Sequence, residues 1–235
     1  MGSKKKVIVA YRYYVGMHFV LCHGPVDALT DVIVDDKAAW SGSSTGGDVY
    51  ILNEDLFGGQ SREGGVSGLI SVMMGGSSQG QNAYLASKTG ANTPSYRGVL
   101  SVVLNQVYIG LNPYLKAWKF RARRILTSSR GSAQWYSSKA TINTYDMNPA
   151  HIIRECLMDP DWGMGYTSAD IDDSYFVAAA DRLYSDGMGI SMLWESEQSI
   201  EEFIKNVMRH IEAVLYVDRT TGKFVLKLVR DGYDI

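Results

Sequence analysis

The chain is poor in cysteine and proline, with two cysteines (Cys22 and Cys156) and five prolines among 235 residues. Two distant thiols in a chain this long exclude a disulfide-built scaffold and fit a reducing compartment with free buried cysteines. No apolar run approaches the roughly 18 residues that a spanning helix requires. The basic start Met1 to Lys6 leads into Val7 to Leu21. That stretch is broken by Arg12, Gly16 and His18 and ends in no small-residue cleavage site, so no export signal is read. A strong charge of one sign is also missing. The net charge is -2 and the basic residues are scattered apart from Lys119 to Arg124, which excludes the electrostatic footprint of a dedicated nucleic-acid binder. The chain contains no Gly-x-x-x-x-Gly-Lys-Ser/Thr, Gly-x-Ser-x-Gly, His-Glu-x-x-His or Cys-x-x-Cys. Phosphate cradles, nucleophile elbows and the common zinc sites therefore have no sequence to start from.

What is present is an ordinary globular composition, 46% hydrophobic and 20% charged, in a chain long enough for two modest domains. The fold class expected is α+β. Residues 1–127 are expected to form a mostly-β, barrel-like domain with a glycine-rich insertion at about 41–97. Residues 128–235 are expected to form an α+β domain of three helices and a small antiparallel sheet, cut off at its C-terminal end, because the chain stops after a strand at Asp231 to Ile235. In the first part, Val7 to Tyr14 and His18 to Leu21 read as two short strands about Gly16. Asp31 to Val34 and Lys37 to Trp40 read as a hairpin turned by Asp35-Asp36. From Ser41 to Arg97 the paired glycines argue against a self-contained core and for an extended segment lying over something larger, anchored by Leu56-Phe57 and Leu69 to Met74. Strands resume at Gly98 to Leu104. They resume again at Ala117 to Ile125, where apolar and basic residues alternate with period two and leave one arginine-rich face in water.

The second part changes texture. Asn148-Pro149 caps a helix with Ile152, Ile153, Cys156 and Leu157 on one face, ending at Asp159-Pro160. Asp172 opens a second, with Phe176, Ala179, Ala180 and Leu183 inward and Gly187 closing it. Ser199 with Glu202 caps a third along Ile200, Phe203, Ile204, Val207, Met208 and Ile211. Extended segments are read at Ile190 to Trp194, Ala213 to Val217 and Lys223 to Val229, the last two joined by Asp218 to Gly222.

Several clusters invite chemistry. His18, Cys22 and His23 are suitable zinc ligands, but on one strand His23 faces away from the other two and a fourth ligand is missing. His151 and Cys156 are five residues apart on a helix, roughly 140° around its axis, so they do not form a dyad. Asp170, Asp172 and Asp173 lack the glycine and distal glutamate of a calcium loop. Asp159 and Asp161 beside Trp162 suggest a glycosidase pair, although a capped turn with a packed indole accounts for the same residues. The tyrosines of Tyr11-Arg12-Tyr13-Tyr14 suit stacking on bases or sugars, or a core and interface role.

Taken in order, a set of stretches resembles the tail-tip hub proteins of long-tailed phages and prophages, the family of host-specificity or tip attachment proteins. The stretches are Tyr11 to Tyr14, Leu21 to Asp27, Leu56 to Gly59 with Glu63 to Gly65, Tyr96 to Val99, Asn112 to Lys116, Asp146 to Leu157, Trp162 to Gly165, and Tyr216 to Asp218 through Gly222-Lys223. They cover nearly the whole chain, and none is a catalytic motif. The resemblance implies a structural protein and not an enzyme, with no metal or other cofactor. It would be a homotrimer in its full-length form that closes the tail tube and contacts other tube and tip proteins, with no membrane or sequence-specific nucleic-acid partner. It would reside in the virion tail, after assembly in the host cytoplasm. Family members continue beyond the point where this chain ends, so receptor choice is not assigned to these residues. Candidate subunit contacts are Leu56, Phe57, Met73 and Met74, which would otherwise form an exposed apolar patch, together with Tyr11 and Tyr13. The alternatives are a tail-associated cell-wall hydrolase acting through Glu155, Asp159 or Asp161, and a carbohydrate- or receptor-binding module.

Overall fold

A computed structural model of the chain describes residues 11–192 and 198–230. The chain divides into two compact units, the first ending at Arg124 and the second beginning at Ile125. The class is α+β with a strand-rich first part.

Among the described residues the first unit contains seven strands, β1 (Tyr13–His23), β2 (Ala28–Val34), β3 (Lys37–Ser44), β4 (Gly47–Asn53), β5 (Val66–Met73), β6 (Val99–Gly110) and β7 (Trp118–Arg123), with one short helix, α1 (Ala83–Thr89). They build two antiparallel sheets, of order β1-β6-β5-β4 and β3-β2-β7. The sheets face each other over one core. Leu29, Val32 and Val34 of β2 meet Ile51, Ile70, Leu100, Val102 and Leu104 of the larger sheet. A fully buried Leu or Ile of this kind contributes on the order of 1.5–3 kcal/mol relative to exposure. The barrel-like expectation thus takes the form of two open sheets, neither closed on itself. Phe19 of β1 lies 6.0 Å from Trp118 and 5.2 Å from Phe120 of β7, ring centre to ring centre, and so bridges the two sheets.

Local sequence explains most of these elements. Asp35 and Asp36 take φ values of 52° and 61°, the left-handed pair that a two-residue hairpin turn demands. In β7, Trp118 and Phe120 pack on the core while Lys119 and Arg121 are exposed. Arg121 pairs with Asp31 at 3.0 Å and Lys119 with Asp36 at 2.6 Å. At the chain start the two short strands expected are one, because β1 runs through Gly16 without a break. Val7 to Ala10 lie outside the described residues.

The glycine-rich stretch 41–97 requires a correction. It is not an insertion laid over a finished domain: β4 and β5 come from it, and Ile51, Val66, Ile70 and Val72 are buried core residues. Its glycines stand at turns and close approaches, and the apolar residues between them form strands. The loop from Glu54 to Gly65 folds on itself, Phe57 N donating to Gly64 O at 2.8 Å and Gly64 N to Gly59 O at 2.8 Å. Gly58, Gly59 and Gly64 hold φ values of 94°, 64° and 78° there, a region that costs other residues energy.

The second unit contains α2 (Pro149–Met158), α3 (Asp173–Asp186) and α4 (Ile200–Ile211). Two strand pairs accompany them, β8 (Thr141–Ile142) with β9 (Asp146–Met147), and β10 (Ala213–Val217) with β11 (Phe224–Leu228). The expected caps are in place. Asn148 accepts from Ala150 N with Pro149 in the first turn, Asp172 accepts from Ser174 N, Gly187 closes α3 in the left-handed region, and Ser199 accepts from Glu202 N. The apolar stripes converge, with Ile153, Leu157, Phe176, Leu183, Ile211 and Leu226 all at 2% exposure or less. Of the strand read at Ile190 to Trp194, Ile190 alone among the described residues bridges, to Met147. Residues 193–197 and the chain end at 231–235 lie outside the described residues.

Gly65 and Gly76 make a controlled comparison. A Cβ at Gly65 would overlap the backbone of Asn53 and Glu54, whereas one at Gly76 meets nothing within 4 Å. Gly65→Ala is therefore expected to destabilise the chain by about 1–3 kcal/mol. Gly76→Ala is expected to leave it unchanged or raise it by up to about 1 kcal/mol, both read from urea midpoints.

Candidate functional site

In the second unit the acids that suggested hydrolysis are engaged in holding a loop. Asp159 is 5% exposed. Its Oδ2 accepts from Ser129 Oγ, and its Oδ1 accepts from the backbone N–H of Asp161 at 2.8 Å and of Trp162 at 3.1 Å. Burial alone would raise its pKa, but these three donors favour the carboxylate and hold it below its ordinary value. Glu155, one turn earlier on α2, accepts from Ser129 N at 2.7 Å. Asp161 is exposed and pairs with Arg130 at 2.9 Å. Three carboxylates thus fasten residues 129 and 130 of one loop. The arrangement is the capped turn that the sequence also allowed.

His151 and Cys156 are both buried on α2. His151 Nε2 lies 3.0 Å from the Tyr136 carbonyl, which makes it the donor, and Nδ1 is left without a hydrogen-bond partner. The ring lies 5.0 Å from Trp135 and 6.5 Å from Tyr136, centre to centre. Burial pushes its pKa down to about 4, against the pull of the Tyr136 carbonyl, and the nearby Arg154 adds to the depression. Among Asp170, Asp172 and Asp173 each carboxylate has its own task. Asp170 accepts from Thr167, Asp172 caps α3, and Asp173 pairs with Arg154 at 3.1 Å.

In the first unit the candidate zinc ligands are separated, for a reason that spacing did not reveal. A register shift between Val20 and Cys22 turns Cys22 onto the core face, opposite Leu100. His18 points to the other face, edge-on to Tyr96 at 4.4 Å, and His23 is exposed. Burial lowers the pKa of His18 and raises that of Cys22. No group of three metal-ligating side chains occurs among the described residues.

The six candidate contact residues divide sharply. Phe57 is 7% exposed and Leu56 packs beside it on the core between the sheets. Lys116 sits 4.5 Å from the Phe57 ring centre and pairs with Glu63 at 2.7 Å. Met73, also 7% exposed, packs with Leu85 and Val103, and Met74 lies against the main core. These four find their apolar partners within their own unit, so the exposed patch expected of them is absent. Tyr11 is 63% exposed and Tyr13 half-buried at the start of β1.

The surface feature that the sequence did not signal is an open groove of about 550 Å3 on the outer face of the larger sheet. A polar relay crosses three strands on its floor. Asn105 Nδ2 of β6 donates to Ser71 Oγ of β5 at 3.1 Å, and Ser71 Oγ donates to Asp48 Oδ1 of β4 at 2.7 Å. Asn105 Oδ1 is screened from water and has no partner, a condition that costs roughly 1–3 kcal/mol. One wall is the Gly46-Gly47 turn, and the other runs from Gly76 to Tyr84. Tyr50, two residues along β4 from Asp48 and so on the same face, is 65% exposed. The relay residues lie 23 and 34 positions apart, and only the strand pairing unites them. The alternation Asp48-x-Tyr50-x-Leu52 is the available clue, and the surrounding glycines mask it.

The chain matches no protein-family model and none of the curated proteins with which it was compared.

The buried imidazole gives an acid-sensitivity prediction. Because its native pKa lies below the ordinary 6.5, the neutral ring is the form that the fold accommodates. Its contribution is fully present above pH 6.5 and is lost as the pH falls from there through about 4, up to about 3 kcal/mol. Urea midpoints between about pH 7 and pH 4.5 should fall in the wild-type chain. The fall should be shallower in His151→Phe.

Proposed function

We propose that the chain is the amino-terminal part of a hub at the tip of a bacteriophage or prophage tail, a structural subunit that closes the tail tube and links it to tip or fibre proteins. The observation that carries this reading is the edge formed by β1. It is eleven residues long, Tyr-Tyr-Val-Gly-Met-His-Phe-Val-Leu-Cys-His, and contains no Lys, Arg, Asp, Glu or Pro. Its other side has no strand partner among the described residues, and Tyr14 and Val20 stand 54% and 57% exposed along it. Solitary proteins guard such edges with charge, proline or short strands. Register shifts bend β1 against β6, but the strand itself carries no Lys, Arg, Asp or Glu to guard the edge. A long uncharged edge suits a subunit whose sheet is continued or covered by a neighbour in a closed ring. The ordered stretches that resemble tail-tip hubs add their weight, and Tyr11 and Tyr13 stand where such a neighbour would begin its contact.

Light scattering over a concentration series, with co-purification against tail-tube proteins, tests the reading. Trimers or tube-protein capture are expected, and Tyr14→Lys or Val20→Lys should weaken association at least about tenfold, the effect of one charge forced into a paired edge. A chain that stays monomeric and captures no tube protein sinks the proposal. So does release of peptidoglycan fragments by the purified protein, which supports the hydrolase alternative.

A further inference from the structure

We infer that residues 76–97, the stretch between β5 and β6, form a lid on the outer face of the larger sheet, a loop that swings about Gly75 and Gly98 and uncovers β1 and β6. The device rests on packing within the first unit and not on the assembly reading.

The loop is closed at its base and braced from within. Gly98 N donates to Gly75 O at 2.8 Å, so entry and exit meet. Both glycines hold left-handed φ values, 87° and 79°, which few other residues adopt without cost. Tyr96, at φ 50°, adds strain beside the exit. Gln79 Nε2 donates to the carbonyls of Ser95 and Tyr96 at 2.7 and 2.9 Å, and Arg97 Nε donates to Gln79 O at 2.9 Å. Gln81 Nε2 donates to the carbonyls of Ala91 and Thr93 at 3.0 and 2.7 Å, and Asn82 caps α1. Toward the sheet, the hydrogen bond found among the described residues is that of Gln106 Nε2 to the Tyr84 hydroxyl at 3.3 Å. A loop that carries its own framework can leave the sheet while the rest of the fold stays in place.

Apolar contacts hold the lid down, and buried polar groups oppose them. Leu85 packs on Met73 and Val103, with Tyr84 and Tyr96 beside them, and the Tyr84 hydroxyl leaves no room for a Cβ at Gly16 of β1. On the same face His18 Nε2, Ser101 Oγ and Asn105 Oδ1 are enclosed without a hydrogen-bond partner. His18 meets the Tyr96 ring edge-on at 4.4 Å. Ser101 and Asn105 stand two residues to either side of Val103 and share its face of β6. Each of these groups loses its hydration when covered. Their combined cost is of the same order as the gain from burying Met73, Leu85 and Val103, so the lid is held by a smaller margin than the fold.

Thiol labelling of the full chain under native conditions tests the device. Val103→Cys places a thiol beneath the lid. Val102→Cys places one on the neighbouring residue, facing the second sheet, and peptide mass spectrometry separates both from Cys22 and Cys156. The thiol at 103 should label at least about a hundredfold faster than the thiol at 102. Its rate should hardly change across sub-denaturing urea, while the rate at 102 climbs steeply. Adding His18→Phe keeps a ring against Tyr96 and removes the unpartnered nitrogen, and should slow labelling at 103 at least about fivefold. Equal rates and equal urea slopes at the two positions overturn the lid, as does labelling at 103 that His18→Phe fails to slow.

Discussion

The first unit depends on the covering of β6 from both sides. Leu100, Val102, Val103, Leu104 and Val107 are all fully buried, although successive residues of a strand point to opposite faces. Leu100, Val102 and Leu104 are covered by the second sheet. Val103 faces the other way, and its cover comes from Met73 and from Leu85 of α1. The stretch between β5 and β6 must therefore leave the sheet, lay down the seven-residue helix α1 and return to the sheet. Three glycines make that return possible. Gly98 N donates to Gly75 O at 2.8 Å and Gly24 N to Gly98 O at 2.9 Å. A side chain on Gly75 would meet the Val99 backbone at 2.7 Å, and one on Gly24 would meet the Met74 carbonyl at 2.6 Å.

That close approach explains why composition misled. A density of glycine and serine implies a lack of core when the glycines are spread through a segment. Here they sit where segments cross or reverse, and the residues between them are Val49, Ile51, Val66, Ile70 and Val72, which alternate inward as well as any strand in the chain. The same tight crossings removed Phe57 and Met73 from the surface. Local chemistry was legible wherever a single residue type determines a torsion or a hydrogen bond. The Asp35-Asp36 turn, the caps at Asn148, Asp172 and Ser199, and the left-handed stop at Gly187 all stand where expected. Bulges were not legible. The register shift that sends Cys22 inward, and the left-handed Gln106 in mid-strand, leave no mark in the period of the side chains.

The second unit shows how far helix periodicity carries and where it stops. The stripes on α2, α3 and α4 were sufficient to identify a common core. The polar residues among them were ambiguous, because a buried histidine, a capping aspartate and a catalytic one look alike in sequence. Asn148 illustrates the difference that structure makes. It is fully buried, caps α2 through its carbonyl oxygen, and donates from Nδ2 to the carbonyls of Lys139 and Ala180 at 3.0 and 2.9 Å. Every polar atom of that side chain is engaged, which marks it as a structural cross-link among three segments.

The same accounting applies to the carboxylates of the two units. Around α2 the carboxylates of Glu155 and Asp159 have donors from the chain itself, and an acid so engaged is held in one charge state and one direction. On the outer sheet face of the first unit the relay from Asn105 through Ser71 ends in a carboxylate with an oxygen to spare. Buried or pre-oriented acceptors without donors are uncommon because they forfeit free energy. Asn105 Oδ1 is one such group on that face, beside a row of polar side chains that ties three strands together. The core beneath it, Val102, Leu104, Ile70 and Ile51, holds the three strands in register and so fixes the spacing of the row.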